Sequence, residues 1–320
     1  MIKWKKLGRV FNPLDHSGFD YMNTHAQSPS VIVFDDFIRV YINTRPPIDE
    51  NGYYVSYLSY VDLNKENMFE VKNIPKRPIM SLGKLGTFDE FGIHPSSVIR
   101  DGNKFRVYYA GTTRCESVPF NSAIGVGISI DNGDSFEKIG DGPVLSYSFD
   151  EPFVIGSPKI KKFNDLWYLF YSAGRKWVKN CDKVEPVYKL RMAVSSNGLD
   201  WEKHGKDIII NKLGVHECQA SADVFFKNDK YHMFFSYRPH LDYRLGGNGY
   251  KIGYASSKDL KNWERDDTKT GITVSKEGWD CEMISYPNLF ELKGKTYMFY
   301  LGNEFGKYGF GLAELTGDLK

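Results

Sequence analysis

The chain reads as an all-β protein, a five-bladed β-propeller with four strands per blade. Three observations predict it. A small or polar residue followed by proline recurs ahead of an apolar strand, in HAQSPSV around Pro29, GIHPSSV around Pro95, VIGSPKI around Pro158 and ISYPNLF around Pro287, with Ala222 of QASADVF filling the remaining slot. Successive markers lie 66, 63, 64 and 65 residues apart, and a fixed period of that length means one supersecondary unit repeated. The order of apolar, aromatic and turn segments is the same within every period.

The first strand of each unit follows its marker (Val31 to Phe34, Val98 to Arg100, Lys159 to Lys162, Val224 to Phe226, Leu289 to Leu292). Polar pairs such as Asp35-Asp36, Gly102-Asn103, Asn164-Asp165, Asn228-Asp229 and Lys293-Gly294 then supply hairpin turns. The second strand is rich in aromatic and β-branched residues (FIRVYIN, KFRVYYA, LWYLFYS, KYHMFFS, KTYMFYL), the composition of half-buried sheet. Small residues mark the third (AIGVGIS, KLRMAVS, KIGYASS, FGLAEL), and an aromatic-acidic pair opens the fourth at Phe69-Glu70, Phe136-Glu137, Trp201-Glu202 and Trp263-Glu264. The fifth unit ends without a fourth strand. Trp4-Lys5-Lys6-Leu7-Gly8 matches Trp201 to Gly205 and lies one period before Phe69, so the N-terminal segment is predicted to close the ring and pair its open edge.

No Pro/Gly/Ser linker or low-complexity stretch interrupts the repeat, so residues 1–320 read as a single domain. A net charge of +2 argues against a nucleic-acid-coating surface, and no segment has the length and apolarity of a membrane span or a signal peptide, which predicts a cytoplasmic protein. Cys115, Cys181, Cys218 and Cys281 lack metal-ligand spacing and read as reduced thiols. Neither a metal nor an organic cofactor is expected.

Propeller topology brings the start of each first strand and the end of each second strand to one rim. The first set holds acidic residues and histidines: Asp20 and His25; Asp89, Glu90 and His94; Asp150 and Glu151; His216 and Glu217; Asp280 and Glu282. The second holds Arg45, Arg114, Arg175 and Arg238, with Asn303 in the fifth position. Two interpretations of the carboxylates compete. They brace blades by accepting hydrogen bonds, or some of them form the acid/base pair of glycosidic cleavage. Arginines repeated around one ring predict an anionic ligand, because guanidinium forks match phosphate and carboxylate oxygens; the alternative is pairing with neighbouring rim acids. The glycine-containing insertion from Pro239 to Gly249, with Tyr243, is a candidate flap or a plain solvated loop.

SSKDLKNWE (Ser256 to Glu264) resembles the third-to-fourth-strand turn of glycoside hydrolase families 43, 32 and 68 and of the related family 130 mannoside phosphorylases, and SIDNGDSF (Ser129 to Phe136) resembles the Asp-box turn of other sugar-cleaving propellers. Glu217-Cys218 resembles the Glu-Cys acid of family 32. The Asp-Pro slots that families 43 and 32 use are Ser28-Pro29 and, for family 32, Ser157-Pro158 here. The resemblance implies cleavage of a glycosidic bond, and the rim arginines together with the expected cytoplasmic location point to a sugar bearing an anionic group, a nucleotide sugar, sugar phosphate or acidic saccharide. Glu217 would be the general acid, and Asp89, Glu90, Asp150 or Glu151 the base or nucleophile. Arg45, Arg114, Arg175, Arg238, His25, His94, Glu282 and Tyr243 would bind the substrate. A phosphorolytic variant would use the arginines to hold inorganic phosphate. A non-catalytic sugar-binding propeller and a protein-interaction propeller are the alternatives.

Overall fold

The computed structural model describes residues 1–180, 183–244 and 247–319, and it is a ring of five four-stranded antiparallel sheets. In chain order, β1 (Trp4–Phe11) precedes a first blade of β2 (Thr24–Val33), β3 (Phe37–Arg45), β4 (Tyr57–Asn64) and β5 (Val71–Asn73). Blade II comprises β6 (Ile93–Asp101), β7 (Lys104–Arg114), β8 (Phe120–Ser129) and β9 (Glu137–Lys138), and blade III β10 (Ile155–Phe163), β11 (Leu166–Asn180), β12 (Lys183–Ser195) and β13 (Glu202–Lys203). Blade IV holds β14 (Cys218–Lys227), β15 (Lys230–Arg238), β16 (Lys251–Ser257) and β17 (Glu264–Arg265). Blade V holds β18 (Ser285–Leu292), β19 (Lys295–Leu301) and β20 (Phe310–Leu315). β1 completes blade V by pairing antiparallel with β20, Trp4 opposite Leu315 and Phe11 opposite Phe310, which is the closure that the repeat phase predicts.

The aromatic second strands explain the packing. Tyr41, Tyr108, Tyr109, Phe170, Tyr171, Phe234, Phe235, Phe299 and Tyr300 are among the largest fully buried side chains. They fall into five apolar clusters, one at each blade-to-blade seam. Near the axis, side chains tie neighbouring first strands together. Asn288 Oδ1 accepts from Val31 N–H at 2.9 Å, Ser30 Oγ from Val98 N–H at 2.9 Å, Ser97 Oγ from Ile160 N–H at 3.3 Å, and an Asp223 carboxylate oxygen from Leu289 N–H at 2.6 Å. Lys159 instead reaches across the axis to donate to Pro29 O at 3.2 Å, and burial pushes its amine pKa down to about 8.

The marker is a bulge. Each first strand shifts register there, between Gln27 and Ser30, Ile93 and Ser96, Gly156 and Lys159, Ala220 and Asp223, and Ser285 and Asn288. Four of the five bulges carry a non-glycine residue in the left-handed region, Ser28 (φ 54°), Ser157 (φ 48°), Ser221 (φ 52°) and Tyr286 (φ 51°). Such a bulge re-aims the side chains beside it, here at the rim end of the axis. The third-to-fourth-strand turns are built as their sequences indicate, with Ser129 Oγ accepting from Gly133 N–H and Ser257 Oγ from Leu260 N–H. Among the described residues no helix is long and apolar enough to cross a membrane, and Cys115, Cys218 and Cys281 are free thiols; Cys181 lies outside the described residues.

Candidate active site

At the rim end of the axis four of the five bulges, those of blades I, II, III and V, line a cavity with two adjoining lobes. The larger, about 690 Å³, is lined by His25, Gln27, Arg45, Arg238, Tyr243, Glu282 and their neighbours, and the smaller, about 300 Å³, by Phe91, Thr112, Arg114, Phe120 and Ser157. Arg45, Tyr54, His94, Phe120, Tyr188 and Tyr286 border both.

Arg238 ends β15 and is buried inside a box of tyrosines. Its guanidinium carbon lies 3.5 Å from the Tyr243 ring centre and 5.3 Å from those of Tyr188 and Tyr250, and it donates to Tyr188 Oη at 2.9 Å and Pro239 O at 2.9 Å. Arg45 ends β3 beside Tyr54, 4.8 Å from that ring centre. Among the described residues neither arginine has a carboxylate partner, and the Nε of each is buried without a hydrogen bond. Burial pushes the Arg45 pKa down to about 10, so the group remains charged at neutral pH. A buried guanidinium lacking a counter-ion costs several kcal/mol, on the order that an incoming anion repays. Tyr286 stands between the two arginines. Its left-handed backbone is held by the Ser236 hydroxyl, which accepts from Tyr286 N–H at 2.8 Å.

The histidines supply no further charge. His25 accepts or donates at Thr24 Oγ1 (2.8 Å), and burial, with Arg45 and Lys307 nearby, lowers its pKa to about 3. His94 is pushed well below its ordinary value by burial and by Arg45, and its Nδ1 has no partner. The insertion after β15 is docked rather than loose in its described part: Tyr243 Oη donates to Glu185 at 2.6 Å and Arg244 pairs with the same carboxylate.

Except for Glu282, the rim carboxylates named from sequence lie elsewhere, and a repeated geometry accounts for it. Asp89 is buried, accepts from Tyr109 Oη at 2.8 Å and pairs with Lys138 at 2.5 Å. Glu151 accepts from Tyr171 Oη at 2.9 Å, pairs with Lys203, and shares Arg191 with Asp150 and Asp207. Asp280 takes Tyr300 Oη at 3.0 Å and Lys6 at 2.6 Å. Glu217 pairs with Arg265 at 2.6 Å, accepts from Lys212 N–H, Leu213 N–H and Gln219 Nε2, and is fully buried. Each is a clamp running from the rim loop through the second strand to the fourth. Glu90 accepts from Gly86 N–H at 2.8 Å. None of Asp89, Glu90, Asp150, Glu151 and Glu217 lines the cavity.

Among the arginines, Arg45, Arg114 and Arg238 line the cavity and Arg175 does not. Arg175 pairs with Asp207 and donates to Asp150 O at 2.7 Å, while Arg114 pairs with Asp49. His25, His94, Tyr243 and Glu282 also line it. Sequence reasoning missed Glu185, Tyr188, Tyr250, Tyr286 and Glu304. Tyr286 had a signal, since it occupies the residue before the marker proline, where three other blades have serine. Glu185 and Tyr188 both come from β12, which with β11 rises above the rim as an extended hairpin.

No family model matches the chain. Protein Rv1502 of Mycobacterium tuberculosis (strain ATCC 25618 / H37Rv) is 30% identical over 316 residues, covering 98% of this chain and 99% of that protein. The 1,2-beta-oligomannan phosphorylase of Thermoanaerobacter sp. (strain X514) is 24% identical over 202 residues, 61% of this chain and 60% of that protein. Among solved structures, a glycoside hydrolase superposes with a TM-score of 0.76 at 15% identity, covering 99% of this chain and 93% of that chain. The beta-1,2-mannobiose phosphorylase from Listeria innocua gives 0.68 at 14% identity, covering 98% and 96%. The fold is therefore that of the sugar-active five-bladed propellers which the turn motifs resemble.

Proposed function

This chain belongs to the family of protein Rv1502 of Mycobacterium tuberculosis, and we propose that it acts on a glycosyl phosphate, a sugar whose anomeric carbon bears or receives a phosphate. The observation that carries this reading is the pair Arg45 and Arg238, both lining the cavity with no carboxylate partner among the described residues. Breaking the bond between the anomeric carbon and a phosphate oxygen leaves the electron pair on the phosphate. Guanidinium groups fixed beside that oxygen stabilise the developing charge, so the leaving group needs no protonation. An acceptor hydroxyl adds to the anomeric carbon and gives its proton to a carboxylate.

Glu282 is assigned that proton. Three glutamates line the larger lobe, and Glu185 and Glu304 are already paired, with Arg244 and Lys307, whereas the Glu282 side chain has no partner among the described residues. In the reverse direction phosphate attacks a glycoside and the same carboxyl, now protonated, gives its proton to the departing sugar oxygen. That is phosphorolysis, the activity in the name of the Thermoanaerobacter relative. Hydrolysis by two carboxylates has less support, because it needs a pair flanking the bond and the recurrent rim acids are engaged in clamps. Their engagement favours a second reading, a propeller that binds an anionic sugar without turnover.

Calorimetry with inorganic phosphate and with glycosyl phosphates, followed by phosphate release with and without acceptor sugars, separates the two. Arg45→Ala is expected to weaken anion binding at least tenfold, and Arg238→Lys several-fold because a point charge replaces a fork. Glu282→Gln is expected to keep binding and lose about 100-fold in turnover. Binding without turnover in the wild type supports the second reading, and absence of anion binding overturns both.

A further inference from the structure

Resting on the glycosyl phosphate reading, we infer that the phosphate carries a nucleoside and that the smaller lobe receives it, so that the substrate class is a nucleotide sugar. The two lobes meet at Arg45, Tyr54, His94, Phe120, Tyr188 and Tyr286. A phosphate on Arg45 therefore faces both, with the sugar on one side and whatever else the phosphate is esterified to on the other.

The lobes differ in chemistry. All three lining glutamates, Glu185, Glu282 and Glu304, belong to the larger one, where they suit sugar hydroxyls; no Asp or Glu among the described residues lines the smaller. The smaller lobe has flat walls instead. The Arg114 guanidinium carbon lies 4.5 Å from the Phe91 ring centre and 4.8 Å from that of Tyr53, and Asp49 fixes the guanidinium from outside, giving a rigid planar surface of the kind on which nucleobases stack.

Its hydroxyls decide between a base and a hydrocarbon. Ser56 and Thr112 line this lobe, and neither side chain has a hydrogen-bond partner among the described residues. A hydrocarbon tail would bury them unpaired, at a cost of about 1–3 kcal/mol each, whereas the carbonyl and ring-nitrogen edge of a base accepts from them. The lobe is also bounded, about 300 Å³, which suits a compact group and not a long chain.

The test compares ligands of like charge. Calorimetry on the full chain with pyrophosphate, UDP, GDP and ADP is expected to show at least one nucleotide binding tenfold or more tighter than pyrophosphate. Phe91→Ala should bring that nucleotide down to within a few-fold of pyrophosphate while the pyrophosphate affinity stays within twofold. Thr112→Val, which keeps the side-chain shape, should lower the nucleotide affinity several-fold and guards against a folding defect in the first variant. Nucleotides no tighter than pyrophosphate, or a preference that survives both substitutions, overturn the inference. If pyrophosphate binds through Arg45 and the nucleoside adds nothing, the glycosyl phosphate reading stands and this one falls; if pyrophosphate does not bind, both fall.

Discussion

His25 is wedged between Arg45 and Lys307, and that placement makes its protonation a property of the folded ring. Its pKa falls to about 3 by burial and by the two cations, and His94 moves the same way. The unfolded chain binds these protons near pH 6.5, and the native state refuses them until far lower pH. The unfolded state thus holds more protons as pH drops below about 6.5, so the histidines' contribution to stability is complete above that value and declines as pH falls, for His25 down to about pH 3. Between pH 7 and 5, where few carboxylates titrate, the urea-unfolding free energy should fall with a slope approaching about 1.4 kcal/mol per pH unit per histidine. His25→Gln should remove one histidine's share, and an unaltered slope in that variant would show that His25 is not the group responsible. Arg45 and His25 were both legible as rim residues from the repeat phase. Their mutual effect was not, because it depends on burial that a spacing does not encode.

At the scale of the element, the clamp explains why the recurrent acids look catalytic in sequence. Each runs from a rim carboxylate to the third residue of the fourth-strand motif, which is Lys6, Lys138, Lys203 or Arg265. Blade I lacks the cation and the hydroxyl: Val71 stands at the cation position and Ile42 where Tyr109, Tyr171 and Tyr300 stand in other blades. In blades II to V the paired carboxylate and cation occur together, as the two ends of a brace do. That covariation was present in the sequence, since WEK and FEK were both on view beside the acids, but only the fold brings the fourth strand up against the rim loop. In blade IV Phe235 replaces the tyrosine and Arg265 lies with its guanidinium carbon 5.0 Å from that ring centre. Glu217→Gln removes one of the two carboxylates paired with the buried Arg265, Asp267 remaining at 2.9 Å, and should cost about 1–3 kcal/mol of stability, with phosphate affinity of the folded protein unchanged. The double variant Glu217→Met with Arg265→Leu should recover only part of that loss, because it leaves Asp267 without its guanidinium. Loss of phosphate binding by a normally stable Glu217→Gln protein would instead return Glu217 to the site.

The ring as a whole is held by its first strand. β1 fills the blade that the C-terminal strands leave open, and Trp4 packs edge-on against Phe234 of the neighbouring blade at 5.5 Å between centroids. A repeat of constant phase makes such a closure readable, because a missing fourth strand and an orphan copy of it differ by one period. The cavity is less readable, since the rim loops and the tall β11–β12 hairpin that shape it do not repeat. The two meet at Lys6, which pairs with Asp280 two residues before Glu282, so closing the ring also steadies the loop that carries the assigned base. Trp4→Ala should therefore cost about 3–5 kcal/mol, the usual penalty for emptying a buried indole site. Deleting Met1 to Val10 should do more, exposing the β20 edge to other chains and lowering both the melting midpoint and turnover. Adding a synthetic peptide of residues 1–12 in excess should restore both together. A truncated protein that melts at the wild-type midpoint would mean that β20 tolerates an open edge and that ring closure is not what the N-terminal strand contributes.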